Sequence, residues 1–191
     1  MVNFNSRLKD TRLHKFLLIG LFFSLVASCS GEKIDNGQVF RMPISNEPPT
    51  LDWSLATDSV SFDILTNIME GLTQYDSNME PVPAIAKRWE ISKNGKTITY
   101  YLRDDVFWTD GQLVTAYDFE YSWKRLLNPA TAAQYAYFLF DVENAQEFNS
   151  GKISDPSKVG VSAKTDHILE VRLKKPVVYF PSITTFMVTF P

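Results

Sequence analysis

The stretch Arg88-Trp-Glu-Ile-Ser-Lys-Asn-Gly-Lys-Thr-Ile-Thr-Tyr-Tyr-Leu-Arg103 predicts a β-hairpin. The Asn94-Gly95 pair in its middle is favoured in tight hairpin turns, because both central residues of such a turn need a positive φ. Along the second arm Ile98, Tyr100 and Leu102 alternate with polar or half-polar residues, as in a strand that buries one face. The hairpin therefore predicts a sheet with one face turned towards a core.

Two helices are predicted, one on each side of this hairpin in the sequence. Residues 59–72 carry apolar side chains at helical spacing. The second helix begins at the capping-box pattern Thr115-Ala-Tyr-Asp118, where the threonine hydroxyl can accept a backbone N–H, and it runs to about Leu127. Asn128-Pro129 ends it, because the residue before a proline avoids the helical region. The expected inner face of the second helix is Phe119, Trp123 and Leu126.

Shorter segments complete the prediction. Strands are expected at residues 39–44, 72–75 and 168–173, and helical stretches at residues 132–140 and 142–148. Residues 81–86 are expected to form a constrained connection, and residues 179–186 a short apolar segment. Strands and helices that do not alternate regularly indicate an α/β or α+β fold.

Length and composition exclude several classes of protein. The chain has 191 residues, of which 45% are hydrophobic and 21% charged, with a net charge of −3. This length allows one domain or a small two-lobed one. The charge is too ordinary for a disordered tail and too acidic for a nucleic-acid-binding protein. A single cysteine excludes a disulfide framework and a four-cysteine zinc site.

The first residues have the pattern of an export signal. A basic segment, residues 1–15, precedes an apolar run, residues 16–27, that is shorter than the roughly 20 residues of a membrane-spanning helix. The run ends in Leu25-Val-Ala-Ser-Cys29, which resembles the bacterial lipobox. We therefore expect residues 1–28 to be a lipoprotein signal peptide, Cys29 to be lipidated, and residues 29–38 to be a tether. The alternative is an ordinary signal peptide with a chance cysteine.

Catalytic and metal-binding patterns are weak. Asp104, Asp105 and Asp110 could bind a cation or serve acid–base chemistry, but their spacing lacks the glycine and glutamate of a calcium loop and favours a solvated turn. The histidines are His14 and His167, and the latter is expected at the surface. The sequence has no phosphate-binding glycine loop and no nucleophile paired with a base. We therefore predict no enzyme, no metal and no cofactor.

An ordered set of short motifs resembles the signature of the family 5 solute-binding proteins, the extracytoplasmic receptors of peptide ABC transporters. The resemblance covers residues 39–191 and is greatest to oligopeptide-binding proteins. The motifs are Ala84-Ile-Ala-Lys-Arg-Trp89, Tyr100-Tyr-Leu-Arg103, Val106-Phe-Trp108, Asp110-Gly111, Val114-Thr-Ala-Tyr-Asp-Phe119 and Tyr121-Ser-Trp123.

The resemblance implies an α/β fold of the periplasmic-binding-protein-like type II class. Residues 39–51 and 159–191 would be part of the first ligand-binding lobe, and residues 52–158 would be an inserted α+β subdomain. Family members are much longer, so the chain is expected to be truncated, with the second lobe absent. A single lobe offers half a cleft, and we expect the 191-residue chain to bind peptides weakly or not at all.

The resemblance also implies a function, namely peptide capture through backbone hydrogen bonds and delivery to an ABC permease. Thr57-Asp58-Ser59 and Tyr135 match family segments that lie near the peptide. Simpler roles are open for two of these residues, since Ser59 could cap its helix and Tyr135 could be a core residue. The sequence departs from the family at Trp53, where proline is common, and at Thr57, where an oligopeptide-binding relative has an acid.

Other functions remain open at this point. The chain could be an anchored lipoprotein with an adhesion or signalling role, or it could bind another solute such as a nickel chelate, a sugar or haem. The absence of histidine in the candidate contact segments argues against the last group. The expected location is the periplasmic or extracytoplasmic face of the cell envelope, with the membrane reached through the lipid anchor and with no role in nucleic-acid binding.

Overall fold

A mixed set of helices and strands surrounds one principal sheet in this computed structural model, which describes residues 40–191. Residues 44–191 form one compact unit. In chain order the elements are α1 (Ser59–Ile68), β1 (Thr73–Tyr75), β2 (Pro81–Pro83), β3 (Ala86–Ile91), β4 (Thr97–Leu102), α2 (Ala116–Leu127), α3 (Ala145–Asn149), β5 (Val161–Thr165), β6 (Ile168–Arg172) and α4 (Phe180–Ile183). Short 3-10 helices lie at Pro129–Thr131, Ala136–Leu139, Pro156–Lys158 and Met187–Thr189.

The principal sheet has four antiparallel strands in the order β3-β4-β6-β5. The predicted hairpin is confirmed as β3 and β4. Its turn differs from the predicted one, because Gly95 has a φ of +68° but Asn94 has no positive φ. One face of the sheet is packed into the core, where Ile98, Tyr100 and Leu102 are fully buried as their alternation predicted. β6 continues this face beside β4 with Leu169 and Val171. The predicted strand at residues 168–173 is therefore confirmed.

Helix α2 covers the buried face of the sheet. The predicted inner residues Phe119, Trp123 and Leu126 are all fully buried. Asp118 accepts hydrogen bonds from the backbone N–H of Thr115 at 2.7 Å and from its hydroxyl at 2.8 Å. The Thr115 side chain also meets the backbone N–H of Asp118, so both halves of the predicted capping box are present and the prediction is confirmed. The helix ends at Leu127 as predicted, ahead of Asn128-Pro129.

The first helix is shorter than predicted. α1 ends at Ile68 instead of Leu72, because the following backbone is used in other pairings. The carbonyl oxygens of Gly71 and Leu72 accept hydrogen bonds from the N–H groups of Ile85 and Ala86, both at 3.0 Å. Residues 81–83 form β2 and pair with β1, although the sequence indicated only a constrained connection there.

Three other segments also differ from the prediction. Residues 132–140 contain only a short 3-10 helix, since Ala132 takes a positive φ of 52°. Helix α3 begins at Ala145 because Val142 forms a β-bridge with Leu173. Residues 40–44 form no strand in the described structure.

The division into residues 39–51, 52–158 and 159–191 stays a prediction. In the described fold, β5 follows Lys158 closely and pairs with β6, which pairs with β4. Strands from both sides of position 159 thus share one sheet, and Gly160 permits the close approach. A Cβ atom at Gly160 would lie 2.6 Å from the carbonyl oxygen of Arg172.

The last residues of the chain run through the interior. Met187, Val188, Thr189, Phe190 and Pro191 are all buried. Two residues of α2 donate hydrogen bonds to this segment: Trp123 Nε1 to the carbonyl of Thr189 at 2.7 Å, and Ser122 Oγ to that of Phe190 at 2.6 Å. This segment thereby joins α2 to the small core cluster beside α1, which includes Ala56, Leu65, Met187 and Phe190.

Candidate functional site

The candidate contact segment Thr57-Asp58-Ser59 forms the entrance to α1. Asp58 is the N-cap residue, and its carboxylate accepts hydrogen bonds from Ser61 N at 2.9 Å and Ser61 Oγ at 2.7 Å. These bonds favour the charged form and lower the pKa of Asp58. Ser59 is exposed in the first turn, so the interpretation that Ser59 caps the helix is wrong, because Asp58 takes that role.

Thr57 has a free main chain within the described structure. Its side chain is exposed, and neither its N–H nor its C=O is hydrogen-bonded to another residue among 40–191. The next residue, Asp58, has extended backbone angles of φ −115° and ψ 157°. The exposed, unpaired N–H and C=O of Thr57 can therefore pair with a second, extended chain, as the groups of an edge strand do.

The segment that precedes Thr57 is held by α2 through an ion pair. Arg125 donates two hydrogen bonds to the carboxylate of Asp52, with 2.8 Å between Nη1 and Oδ1 and a second, closer contact between Nη2 and Oδ2. The same carboxylate accepts the backbone N–H of Ser54 at 3.0 Å. The hydrogen bond from Arg125 is the main reason why the pKa of Asp52 is lowered, and that of Arg125 is raised in turn.

This ion pair predicts a specific acid sensitivity. Because the pKa of Asp52 is lowered in the folded state, its contribution to stability is present above its ordinary value of 3.8 and is lost as the pH falls through the lowered value. We expect wild type to lose more stability than Arg125→Gln, by less than about 1 kcal/mol, between about pH 6 and about pH 3, as measured by urea unfolding. Asp58 and Asp76, whose pKa values are also lowered, titrate in both proteins and serve as the internal control. Parallel curves for the two proteins would contradict the prediction.

Tyr135 lies in an aromatic cluster formed by Phe62, Tyr135, Tyr137, Phe138 and Phe186. Its ring centroid is 6.0 Å from that of Phe62 on α1 and 5.9 Å from that of Phe186. Phe62 also contacts Phe186, with 5.9 Å between the ring centroids. Tyr135 is half-buried, and its hydroxyl has no hydrogen-bond partner among residues 40–191. It is thus neither a fully buried core residue nor a free surface residue.

The aromatic cluster brings two candidate segments to one side of the protein. Phe62 lies one helical turn after Asp58, since its N–H donates to the carbonyl of Asp58 at 3.1 Å. Contact of Phe62 with Tyr135 therefore places the entrance to α1 near the tyrosine. Phe138 and Phe186 continue into an open cavity of about 440 Å³, whose other lining residues are Tyr75, Tyr179, Ser182, Ile183 and Thr185.

Sequence reasoning singled out the site residues but not their connection. Phe62 and Phe186 were not predicted, and no local pattern marks them, because they meet only through packing across the fold. A local pattern does point to an aromatic cluster around Tyr135, because three aromatic residues lie within four positions of Gln134-Tyr-Ala-Tyr-Phe138. Cys29 lies outside the described residues, and its lipidation stays a prediction.

Two of the acidic residues that follow β4 make local contacts. Asp105 is paired with Arg103 at 2.8 Å, and Asp110 accepts the N–H of Gln112 at 2.9 Å. Residues 40–191 bring no three histidine, cysteine, aspartate or glutamate side chains together as a potential metal site. Across the same residues, every helix is too short or too polar to cross a bilayer.

Comparison with known proteins gives the family. Residues 80–191 match the model of the middle part of the bacterial extracellular solute-binding proteins, family 5. The chain belongs to this family. The motifs that resemble it include the β3–β4 hairpin and α2, which form the centre of the described fold.

Relatives and solved structures agree with this assignment. The dipeptide-binding protein DppE of Bacillus subtilis is 38% identical over 186 residues, which are 92% of this chain and 34% of that protein. The substrate-binding domain of an oligopeptide ABC transporter from Bacillus anthracis superposes with a TM-score of 0.78 at 41% identity, covering 84% of this chain and 31% of that one. For peptide-bound OppA of Listeria monocytogenes the TM-score is 0.72 at 36% identity, covering 75% and 28% of the two chains. The chain spans about a third of the length of the curated relatives that it matches.

Proposed function

We propose that this chain forms part of the substrate-binding component of an ABC transporter that takes up peptides. The observation that carries the proposal is the unpaired, exposed main chain of Thr57, held one helical turn from the ring that contacts Tyr135. An extended peptide presents the same backbone donors and acceptors whatever its side chains are. A site of this kind therefore gives affinity without strong sequence preference.

The relatives support the proposal through their names. DppE is a dipeptide-binding protein, and the Listeria OppA structure contains a peptide. This family of solute-binding proteins serves transport, and we propose that the chain itself catalyses no reaction. Incubation of the purified chain with peptides, followed by chromatography, is expected to return them intact. Reproducible cleavage would overturn the assignment.

Tyr135 provides the first test of the site. For half a cleft the expectation is weak binding or none, and the unpaired main chain of Thr57 favours weak binding. We therefore expect trialanine at millimolar concentrations to shift the backbone amide signals of residues 57–59 in a nuclear magnetic resonance titration. Tyr135→Ala removes both the ring and the hydroxyl and should weaken binding by about five- to thirtyfold, which corresponds to about 1–2 kcal/mol. Tyr135→Phe retains the ring and separates the contribution of the hydroxyl.

Tyr121→Ala is the matched control, because Tyr121 is a tyrosine on α2 with 71% of its surface exposed and it lies outside the aromatic cluster. It should bind trialanine as wild type does. Equal binding by wild type and Tyr135→Ala would contradict the assignment of Tyr135. The absence of saturable shifts at residues 57–59 with any short peptide would contradict the proposed site itself.

We further propose that Cys29 carries a lipid that holds the protein at the extracytoplasmic face of a membrane, where an ABC permease is its partner. The support is the basic, apolar and small-residue pattern that ends at the single cysteine. The intact mass of protein extracted from membranes should correspond to a chain that begins at Cys29 with acyl groups attached. Cys29→Ser should release the protein from the membrane fraction. A mass with unmodified cysteine would reject the anchor.

A further inference from the structure

Two side chains on one face of helix α2 hold the segment before Thr57 by hydrogen bonds. Arg125 binds the carboxylate of Asp52 through both ends of its guanidinium, and Ser122 Oγ accepts a hydrogen bond from Trp53 Nε1 at 3.1 Å. Ser122 and Arg125 are three residues apart and therefore lie on the same face of the helix. Consecutive residues, Asp52 and Trp53, are thus fixed to one surface by side chains of two different kinds.

Only a short, hydrogen-bonded turn separates Asp52 and Trp53 from the candidate site. The carbonyl of Asp52 accepts hydrogen bonds from the N–H groups of both Leu55 and Ala56 at 2.9 Å, so residues 52–56 form a closed turn directly before Thr57. Ala56 is buried and belongs to the small core cluster beside α1. A rotation of Asp52 would therefore move the turn and, with it, the main chain of Thr57.

The same face of α2 holds the opposite side of the site. Ser122 Oγ accepts from Trp53 and donates its own hydrogen to the carbonyl of Phe190, at 2.6 Å. Phe186, four residues earlier, has its ring 5.9 Å from that of Tyr135. Helix α2 is consequently a common support for the segment that bears Thr57 and for the segment that packs against Tyr135.

The form of the ion pair indicates a role in geometry more than in stability. The side chains of Arg125 and Asp52 are 33% and 28% exposed, and partly exposed pairs contribute little to folding. A two-point contact between guanidinium and carboxylate nevertheless fixes direction as well as distance, which a lysine cannot do. The Asp52 carboxylate also orients the following turn through the N–H of Ser54.

We propose that Asp52, Arg125 and Ser122 are positioning residues, which fix the unpaired main chain of Thr57 relative to Tyr135 so that both can engage one peptide. This inference rests on the proposed function and adds to it the residues that set the spacing of the site. Asp52, Arg125 and Ser122 act through Thr57 and Tyr135 and do not themselves contact the peptide.

The test uses the full chain and trialanine, followed by the amide signals of residues 57–59. Arg125→Gln is expected to weaken binding by about five- to tenfold while the melting temperature stays near that of wild type. Arg125→Lys keeps the positive charge but cannot form the two-point contact with the carboxylate, and it should recover only part of the affinity. Because Asp52→Asn breaks the same contact, the double variant Asp52→Asn/Arg125→Gln should bind no more weakly than Arg125→Gln alone.

Arg88→Gln is the matched control, since Arg88 forms an exposed ion pair with Glu90 on β3, away from α2. It should bind as wild type does. Unchanged affinity in Arg125→Gln, or full recovery in Arg125→Lys, would overturn the positioning role while leaving the proposed function intact. The absence of binding in wild type would instead reject the proposed peptide site at residues 57–59 and Tyr135, so the two failures are distinguishable.

Discussion

Replacing Trp123 with alanine is expected to lower the free energy of unfolding by about 3–5 kcal/mol, the range for a fully buried large aromatic side chain. The indole is completely buried on the inner face of α2, and its ring packs edge-on against Phe180 with 6.2 Å between centroids. The substitution also leaves the buried carbonyl of Thr189 without the hydrogen bond from Nε1 at 2.7 Å. Urea unfolding followed by circular dichroism measures the change.

Two variants separate the contributions to this effect. Trp123→Phe retains much of the packing but not the donor, and should cost about 1–3 kcal/mol, the penalty for a buried unpaired carbonyl together with the smaller ring. Tyr121→Ala, on the exposed face of the same helix, should change stability by less than about 0.5 kcal/mol. If Trp123→Ala were as stable as Tyr121→Ala, then α2 would not pack on the sheet as described.

Gly71→Ala is expected to destabilise the protein by about 2–3 kcal/mol, as overpacking of a filled interior does. A Cβ atom at this position would lie 2.7 Å from the Phe190 ring and 2.7 Å from the carbonyl oxygen of Thr184. The second contact is with backbone, which cannot move aside as the end of a flexible side chain can. The two segments, residues 71–72 and 184–190, would have to separate. Differential scanning calorimetry gives the fall in melting temperature.

Gly111 provides the contrasting control for this prediction. Its φ is +85°, and no atom lies within 4 Å of a Cβ built there. Glycine is therefore needed at 111 for its backbone conformation and at 71 for space. Gly111→Asn should cost less than about 1 kcal/mol, because asparagine tolerates positive φ. A larger loss at 111 than at 71 would argue against the described packing of the last residues on α1 and β1.

Much of the local structure followed from short-range signals. Asn94-Gly95 marks the hairpin turn, where Gly95 supplies the positive φ, and the alternation of Ile98, Tyr100 and Leu102 identifies the buried face. The capping pattern at Thr115 and the proline at 129 set both ends of α2. These signals operate within a few residues and need no knowledge of the rest of the chain.

The errors have a different physical origin. The early end of α1 and the strand at Pro81–Pro83 both arise because the carbonyls of residues 71 and 72 pair with residues 85 and 86. Residues 40–44 have the composition of a strand but form none in the described structure. Such outcomes depend on which distant backbone groups are brought close, and a local pattern does not contain that information.

Short-range sequence patterns were enough for the hairpin and for the bounds and inner face of α2, and the family resemblance gave residues 57–59 and Tyr135 as candidates. Three features became visible only in the folded chain: Phe62 joins these candidates, Asp52 meets Arg125 across 73 positions, and the last residues lie between α1 and α2. The reason is that turns, caps and strand alternation are set by interactions between near neighbours. Contacts between remote segments form only when burial of apolar surface packs those segments together.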